Sequence, residues 1–381
     1  FNLVKFNKDT FEAIREISNT LNIPSELIQY SGLKDKCSIS SQKVSIKGNF
    51  IEKLRDLKFD DIHIRDISSS KKSVKLGSHW GNYFTIVIRN IENKENLENG
   101  IKEILNFLIK YGFPNYFGLQ RFGTFRPNSH LIGRYLLENN YENAFNEFVI
   151  ATYSTESQES IKVRKNLEKN KNFEKAYLNL PSGLSYERKM LKHLIDNPGD
   201  YEGCISTLPF DLKRLLISSF QSYLFNKMIS LRYHKGFSLF EPLNGDVISI
   251  LDDENGNVTQ VKYIYGGDYD DYLKRALKLN RAAIIAPIIG YDTDMGKFPL
   301  FKTFYDVILE QENIEQNIFK QKLLETIEFR GSTRAMMIKP VALKLIEIID
   351  DEFHRNRKKV KIAFSIQKGS YATMLLREII K

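Results

Sequence analysis

Residues that alternate apolar with polar, the mark of a half-buried strand, collect at the two ends of this chain. Near the start they are Phe1 to Val4, then Val44 and Ile46 set against Lys43, Ser45 and Lys47, then Ile62, Ile64 and Ile67, then Thr85 to Arg89. Near the end Val360, Ile362 and Phe364 alternate, and 371–377 reads as a further strand. A sheet built from both ends forces the chain to leave and return. The middle carries helices and strands of its own, so the expected architecture is one domain inserted into another. Composition places the joints. A polar stretch rich in Ser, Glu, Lys and Asn runs from Thr152 to Lys175, and Arg330-Gly331-Ser332 begins the return. The expected parts are 1–148 and 329–381 as two pieces of one domain, with 149–328 as the insertion. A chain of 381 residues has room for two domains.

The remaining elements follow from period and punctuation. Asp9-Thr10 caps a helix with Phe11, Ile14, Ile17 and Leu21 on one face. Ile101, Ile104, Leu105 and Leu108 form a stripe stopped by Gly112. Helices are expected at 51–57, 130–137, 141–150, 186–194, 211–232 and 314–329. A turn followed by a strand is expected over 245–250, a strand at 258–264 is expected to pair with it, and another strand at 282–289 is interrupted by Pro287. The fold class is α+β.

Lys plus Arg exceeds Asp plus Glu by 56 − 47, a net charge of +9, which favours a polyanionic partner. The two cysteines, Cys37 and Cys204, have no paired spacing, and the six histidines are scattered, so zinc chemistry is a poor reading. Asp292, Asp294 and Glu310 lack a calcium-loop pattern, and no metal site is expected. No stretch approaches the roughly 20 apolar residues of a membrane helix, and no cleavable signal is evident, so the cytoplasm is the expected compartment. The chain opens at Phe1 rather than Met, and an upstream segment is expected to be missing.

Two stretches carry chemistry. In Gly32-Leu33-Lys34-Asp35-Lys36 an acidic residue sits in a glycine-led turn before a strand. Such an aspartate can be a nucleophile, a base, a metal ligand or a cap of its own turn. In Asn115-Tyr116-Phe117-Gly118-Leu119-Gln120-Arg121-Phe122-Gly123 an amide, aromatics, an arginine and glycines crowd into nine residues, a poor composition for a helix and an odd one for a strand. Lys71, Lys72 and Lys75 form a basic cluster, and Arg357, Lys358 and Lys359 lie in a second; either is a solvated surface or a contact for phosphate.

Gly32-Leu33-Lys34-Asp35 with Ser41-Gln42, the Asn115 to Gly123 run, and Gly369-Ser370-Tyr371-Ala372-Thr373 through Leu376-Arg377-Glu378 together resemble the TruD family of RNA pseudouridine synthases, in an archaeal-like form. Ser219-Phe220-Gln221-Ser222-Tyr223-Leu224-Phe225-Asn226 is similar to a helix of the same family. The resemblance implies a catalytic pseudouridine synthase domain on a mixed or antiparallel sheet, interrupted by an α/β TRUD domain. It implies isomerisation of uridine to pseudouridine, usually at position 13 of transfer RNA, with no cofactor. It assigns Asp35 as nucleophile, Phe117 as the ring that stacks on the flipped base, and Asn115 as a contact near the aspartate. Lys34, Lys36, Gln120, Arg121, Lys71, Lys72, Lys75, Arg357, Lys358, Lys359 and Arg377 are the candidate RNA contacts, Arg377 also as a partner of the carboxylate on a closing strand. No obligate protein partner is expected, and the chain is read as a monomer. The alternative is a catalytically inactive or differently targeted RNA-binding member of that family.

Overall fold

The computed structural model describes residues 1–252, 256–320 and 329–381. The chain forms two compact units: Phe1–Tyr83 with Gln367–Gly369, and Phe84–Ile366 with Ser370–Lys381.

In the first unit the strands Ile28–Tyr30, Ile39–Ile46, Asn2–Phe6 and Ile62–Arg65 lie side by side in that order. Asn2–Phe6 pairs antiparallel with both neighbours, Leu3 facing Gln42 on one side and Ile64 on the other. The helix Thr10–Leu21 starts on a capping box, in which the Asp9 side chain accepts from the Glu12 amide and the Glu12 side chain returns to the Asp9 amide. Its Ala13, Ile14, Ile17 and Leu21 are buried with Leu3, Ile28, Val44, Leu54 and Ile62. Ile14, Ile17 and Leu21 of the apolar spacing seen in the sequence are therefore on the packing face, whereas Phe11, expected with them, is exposed and meets the Tyr30 ring edge-on.

The second unit has two apolar cores. One is built on a three-stranded sheet in the order Val341–Asp350, Arg357–Gln367, Gly81–Glu92. Val360, Ile362, Phe364 and Ile366 alternate along the central strand and meet Ile101, Leu105 and Leu108 of the helix Leu97–Tyr111. Leu375 joins them from the helix Ala372–Ile380. The expected strand at 371–377 is thus a helix. Ala372, Met374, Leu375 and Leu376 are strong helix formers, and a short apolar run does not distinguish the two states.

The other core runs from Ile132 to Met336 in sequence. It packs helices Ser129–Leu137, Gln158–Asn170, Ser185–Asp196 and Phe210–His234, among others, with a sheet in the order Ser332–Ala335, Ala282–Ile288, Val247–Leu251, Val258–Ile264. Val247–Leu251 pairs antiparallel with Val258–Ile264, as their sequence suggested. Pro287 sits inside its strand opposite Thr333. At Gly133 the Ser129–Leu137 and Phe210–His234 helices approach so closely that a Cβ would lie 2.1 Å from the Leu216 carbonyl oxygen. The polar Thr152–Lys175 stretch holds the whole of the 13-residue helix Gln158–Asn170 and the start of another, Phe173–Asn179. The region expected as a helix from 314 to 329 includes 321–328, which lie outside the described residues; Gln316–Phe319 before them is a short 3-10 turn. Among the described residues no helix is long and apolar enough to cross a membrane.

Candidate active site

Asp35 lies exposed in the loop between the strands Ile28–Tyr30 and Ile39–Ile46 of the first unit. Two lysines support that loop. Lys5, on the central strand and 1% exposed, sends its ammonium to the main-chain oxygens of Lys8 and, at 2.8 Å, of Asp35. Ser38 Oγ donates to the same Asp35 oxygen at 2.8 Å. Lys34 hangs from Thr10, whose Oγ1 accepts from the Lys34 amide at 3.0 Å, and its ammonium donates to Asn82 Oδ1. Burial pushes the Lys5 ammonium down from its ordinary pKa, against the pull of the Asp9 and Asp35 carboxylates. Burial lowers Lys34 too, and the Asp35 carboxylate opposes it. The Asp35 loop is thus tied down by one lysine through its main chain and borders a second. Lys36 instead pairs with Glu12 at 2.8 Å on the surface.

In the second unit the Asn115–Arg121 loop is gripped from two sides. The helix Phe210–His234 presents Ser219, Ser222 and Asn226, spaced three and four apart and so on one face. Asn226 Oδ1 accepts from the Phe117 amide at 2.9 Å while its Nδ2 donates to the Phe117 carbonyl at 3.0 Å. Ser222 Oγ accepts from Arg121 Nε at 3.0 Å, and Ser219 Oγ donates to the Arg121 carbonyl at 2.9 Å. Gln221, one step round the helix, donates to the main-chain oxygens of Ile289 and Arg330. From the other side, the segment 334–336 takes Asn115. Its amide donates to the Met336 carbonyl at 2.7 Å, its Nδ2 to the Ala335 carbonyl at 2.9 Å, and its Oδ1 and carbonyl both accept from Arg334. Asn115 is 3% exposed. A Cβ on Gly118 would lie 2.8 Å from both the Gln120 side chain and the Tyr371 ring, so a larger residue there would push them aside.

Phe117 is half-buried at the centre of this loop. Its ring meets Phe225 edge-on at 5.6 Å and Tyr371 at 6.2 Å, with the Arg334 guanidinium 4.1 Å and the Arg121 guanidinium 5.8 Å from its centroid. Burial lowers both arginines, Arg334 to about 10, and both remain charged near neutrality. Burial raises the Tyr371 phenol, with both guanidiniums pulling it back.

The other sequence candidates are placed as follows. Gln120 is exposed and accepts from Thr373 Oγ1 at 3.3 Å. Lys71, Lys72 and Lys75 are exposed. Lys358 and Lys359 pair with Asp350 and Glu352, and Arg357 with Glu92 at 3.4 Å. That basic run is therefore largely neutralised by carboxylates beside it. Arg377 lies on a helix, not a strand, with its guanidinium 5.9 Å from the Tyr116 ring. Asp292 and Asp294 hold main-chain amides of Gly331 and Gly296. Among the described residues no group of three His, Cys, Asp or Glu side chains is placed to hold a metal. Sequence reasoning missed Lys5, Arg334 and Tyr371. Lys5 reads as the wet side of an alternating strand, and Arg334 lies 219 residues from the asparagine it holds.

Comparison with known proteins places this arrangement. The family model described as tRNA pseudouridine synthase D (TruD) matches residues 1–379. A probable tRNA pseudouridine synthase D of Methanococcoides burtonii is 31% identical over 100% of this chain and 86% of its own length. Another, from Methanocaldococcus jannaschii, is 32% identical over 100% of this chain and 85% of its own. The crystal structure of a TruD protein from Methanosarcina mazei aligns at a TM-score of 0.82 and 30% identity, covering 99% of this chain and 86% of that one. Fold and motifs together are those of a pseudouridine synthase, an isomerase. Within that class the chain belongs to the TruD family.

Proposed function

We propose that this chain converts uridine to pseudouridine in transfer RNA, at position 13, with the Asp35 carboxylate as nucleophile. The observation that carries the reading is the exposed Asp35 on a loop tied down by Lys5 and bordered by Lys34, in a chain matched by the TruD family model from end to end. The reaction breaks the bond between N1 of uracil and C1′ of ribose and forms one between C5 and C1′. C5 loses its proton and N1 gains one, so atoms balance without a co-reactant. An ionised carboxylate attacks either C1′ or C6 of the base and leaves again once the base has turned. Phe117 receives the extruded uracil on its ring, because a base inside a stack cannot be reached. Asn115 fixes the loop that carries that ring. Lys71, Lys72 and Lys75, together with Lys34, Gln120 and Arg121, follow the RNA, as do Arg357, Lys358, Lys359 and Arg377 where the RNA displaces their present partners. Lys36 joins them by exchanging Glu12 for phosphate.

The segment 149–328 is proposed as an inserted domain, supported by the separate apolar core that its residues dominate. We place the enzyme in the cytoplasm as a monomer. Asp35→Asn keeps size and polarity and removes the anion. It is expected to abolish pseudouridine formation while RNA affinity changes little. Product at a rate near that of the parent protein means Asp35 is not the nucleophile. A wild-type protein that binds RNA but yields no product favours the non-catalytic alternative.

A further inference from the structure

Arg334 lies on the strand Ser332–Ala335, opposite Ala286 of the neighbouring strand. Its guanidinium does two things at once. Through its edge, Nε donates to the Asn115 carbonyl at 2.9 Å and Nη2 to Asn115 Oδ1 at 2.7 Å. Through its face, Cζ stands 4.1 Å from the centroid of the Phe117 ring, well inside the range of a cation–π contact. Asn115 and Phe117 are two residues apart on one loop, so a single rigid group sets the amide of one and the ring of the other. A lysine has no planar fork and cannot satisfy both. On the opposite side, Asn226 holds only the main chain of Phe117, and the contacts that Phe225 and Tyr371 make with the ring are edge-on and longer than that of Arg334.

We propose that Arg334 is a positioning residue that fixes the plane of the Phe117 ring for the incoming base. This rests on the reading that Phe117 receives uracil. Misplacing a reacting group by an ångström can lower a rate a hundredfold without a comparable loss of binding. The signature of the proposal is accordingly a split between rate and affinity, together with a displaced ring.

The test uses the full chain with its phenylalanines replaced by 4-fluorophenylalanine, the Phe117 resonance being assigned by its loss in Phe117→Leu. Arg334→Lys removes the fork and retains the charge. Arg334→Gln retains planar donors toward Asn115 and removes the cation from the ring, and it serves if the lysine variant folds poorly. In both, the Phe117 fluorine resonance is expected to shift or broaden. On transfer RNA, the single-turnover rate is expected to fall by about 10- to 100-fold while the dissociation constant changes less than about threefold. A resonance that stays in place in both variants overturns the proposal. So does an unchanged rate, or a rate loss matched by an equal loss of affinity. If the parent protein makes no pseudouridine, the functional reading fails by itself, and the resonance still decides the role of Arg334.

Discussion

Asn226→Asp is the sharpest probe of how the loop is held, because it changes one atom. In the parent, Oδ1 accepts from the Phe117 amide and Nδ2 donates to the Phe117 carbonyl. The substitution keeps the acceptor and turns the donor into a second carboxylate oxygen facing a carbonyl oxygen. One hydrogen bond is lost and a partly buried acceptor is left unpaired, at a cost of about 1–3 kcal/mol. If that energy is what selects the loop conformation competent for stacking, its population drops by about 5- to 150-fold, since each 1.4 kcal/mol is tenfold. The effect has a pH signature with a definite sign. The introduced carboxyl prefers its neutral form, which can donate to the Phe117 carbonyl, so its folded pKa rises above the unfolded value of about 3.9. Relative to the parent, the deficit is full well above that raised value and narrows as pH falls through it. Thermal melts of both proteins from pH 8 to pH 4.5, with single-turnover rates at neutrality, measure this. Equal melting at pH 8 with an equal rate refutes the clamp, and a deficit that widens toward low pH refutes the donor assignment.

Three further outcomes follow from other contacts. Arg232 and Asp246 are fully buried and paired through both guanidinium arms, so Arg232→Met leaves an uncompensated buried carboxylate and is expected to destabilise the protein by about 3–5 kcal/mol in a urea melt; a change under about 1 kcal/mol counts against this. Replacing Lys71, Lys72 and Lys75 with alanine removes three exposed cations and is expected to lower the log–log salt slope of RNA binding by about two to three, with an unchanged slope placing the RNA elsewhere. Burial pushes the Asp351 carboxyl up in pKa, but the amides of Asn90 and Phe353, His354 and Arg89 outweigh it and hold it well below the usual carboxylate range. Its contribution to stability is therefore present above about pH 4 and lost as pH falls further. The melting-point gap to Asp351→Asn should be flat from pH 8 to 5 and shrink below 4, and a gap that grows on acidification contradicts the sign.

What the sequence made legible was local. The Asp9 cap, the Ile14 and Ile17 stripe and the alternation of Val360, Ile362 and Phe364 each state their neighbours within a few residues, and each stands in the structure as read. The Asn115–Gly123 loop announced itself by composition. What supports it did not, because its partners lie about a hundred to two hundred residues away and have ordinary side chains. The basic run from Arg357 to Lys361 was half legible. Its charge was plain, but the acids that neutralise Lys358, Lys359 and Lys361 sit on the adjoining strand Val341–Asp350 and the turn after it, and register is not written in a strand's own residues. The segment 371–377 was misread because Met374, Leu375 and Leu376 in succession satisfy a strand as well as a helix buried along one side.

The 25-residue helix Phe210–His234 resolves an oddity of its own sequence. A helix that buries Ser, Gln and Arg side chains would ordinarily be penalised for each polar group it takes from water. Here the inward polar groups have partners at long range: Ser219, Ser222 and Asn226 on the Asn115–Arg121 loop, Gln221 on the Ile289 and Arg330 carbonyls, and Arg232 on Asp246. Between them Leu216, Phe220, Leu224, Phe225 and Met228 are buried in the larger core. The same element is thus both the spine of that core and the mount for the Phe117 loop. A cavity cut at Phe220 or Met228 would therefore be felt at Phe117 through a shift of the helix, although neither side chain carries a hydrogen bond to the loop. Asn226 would transmit such a shift directly, since it holds the Phe117 main chain at both its amide and its carbonyl.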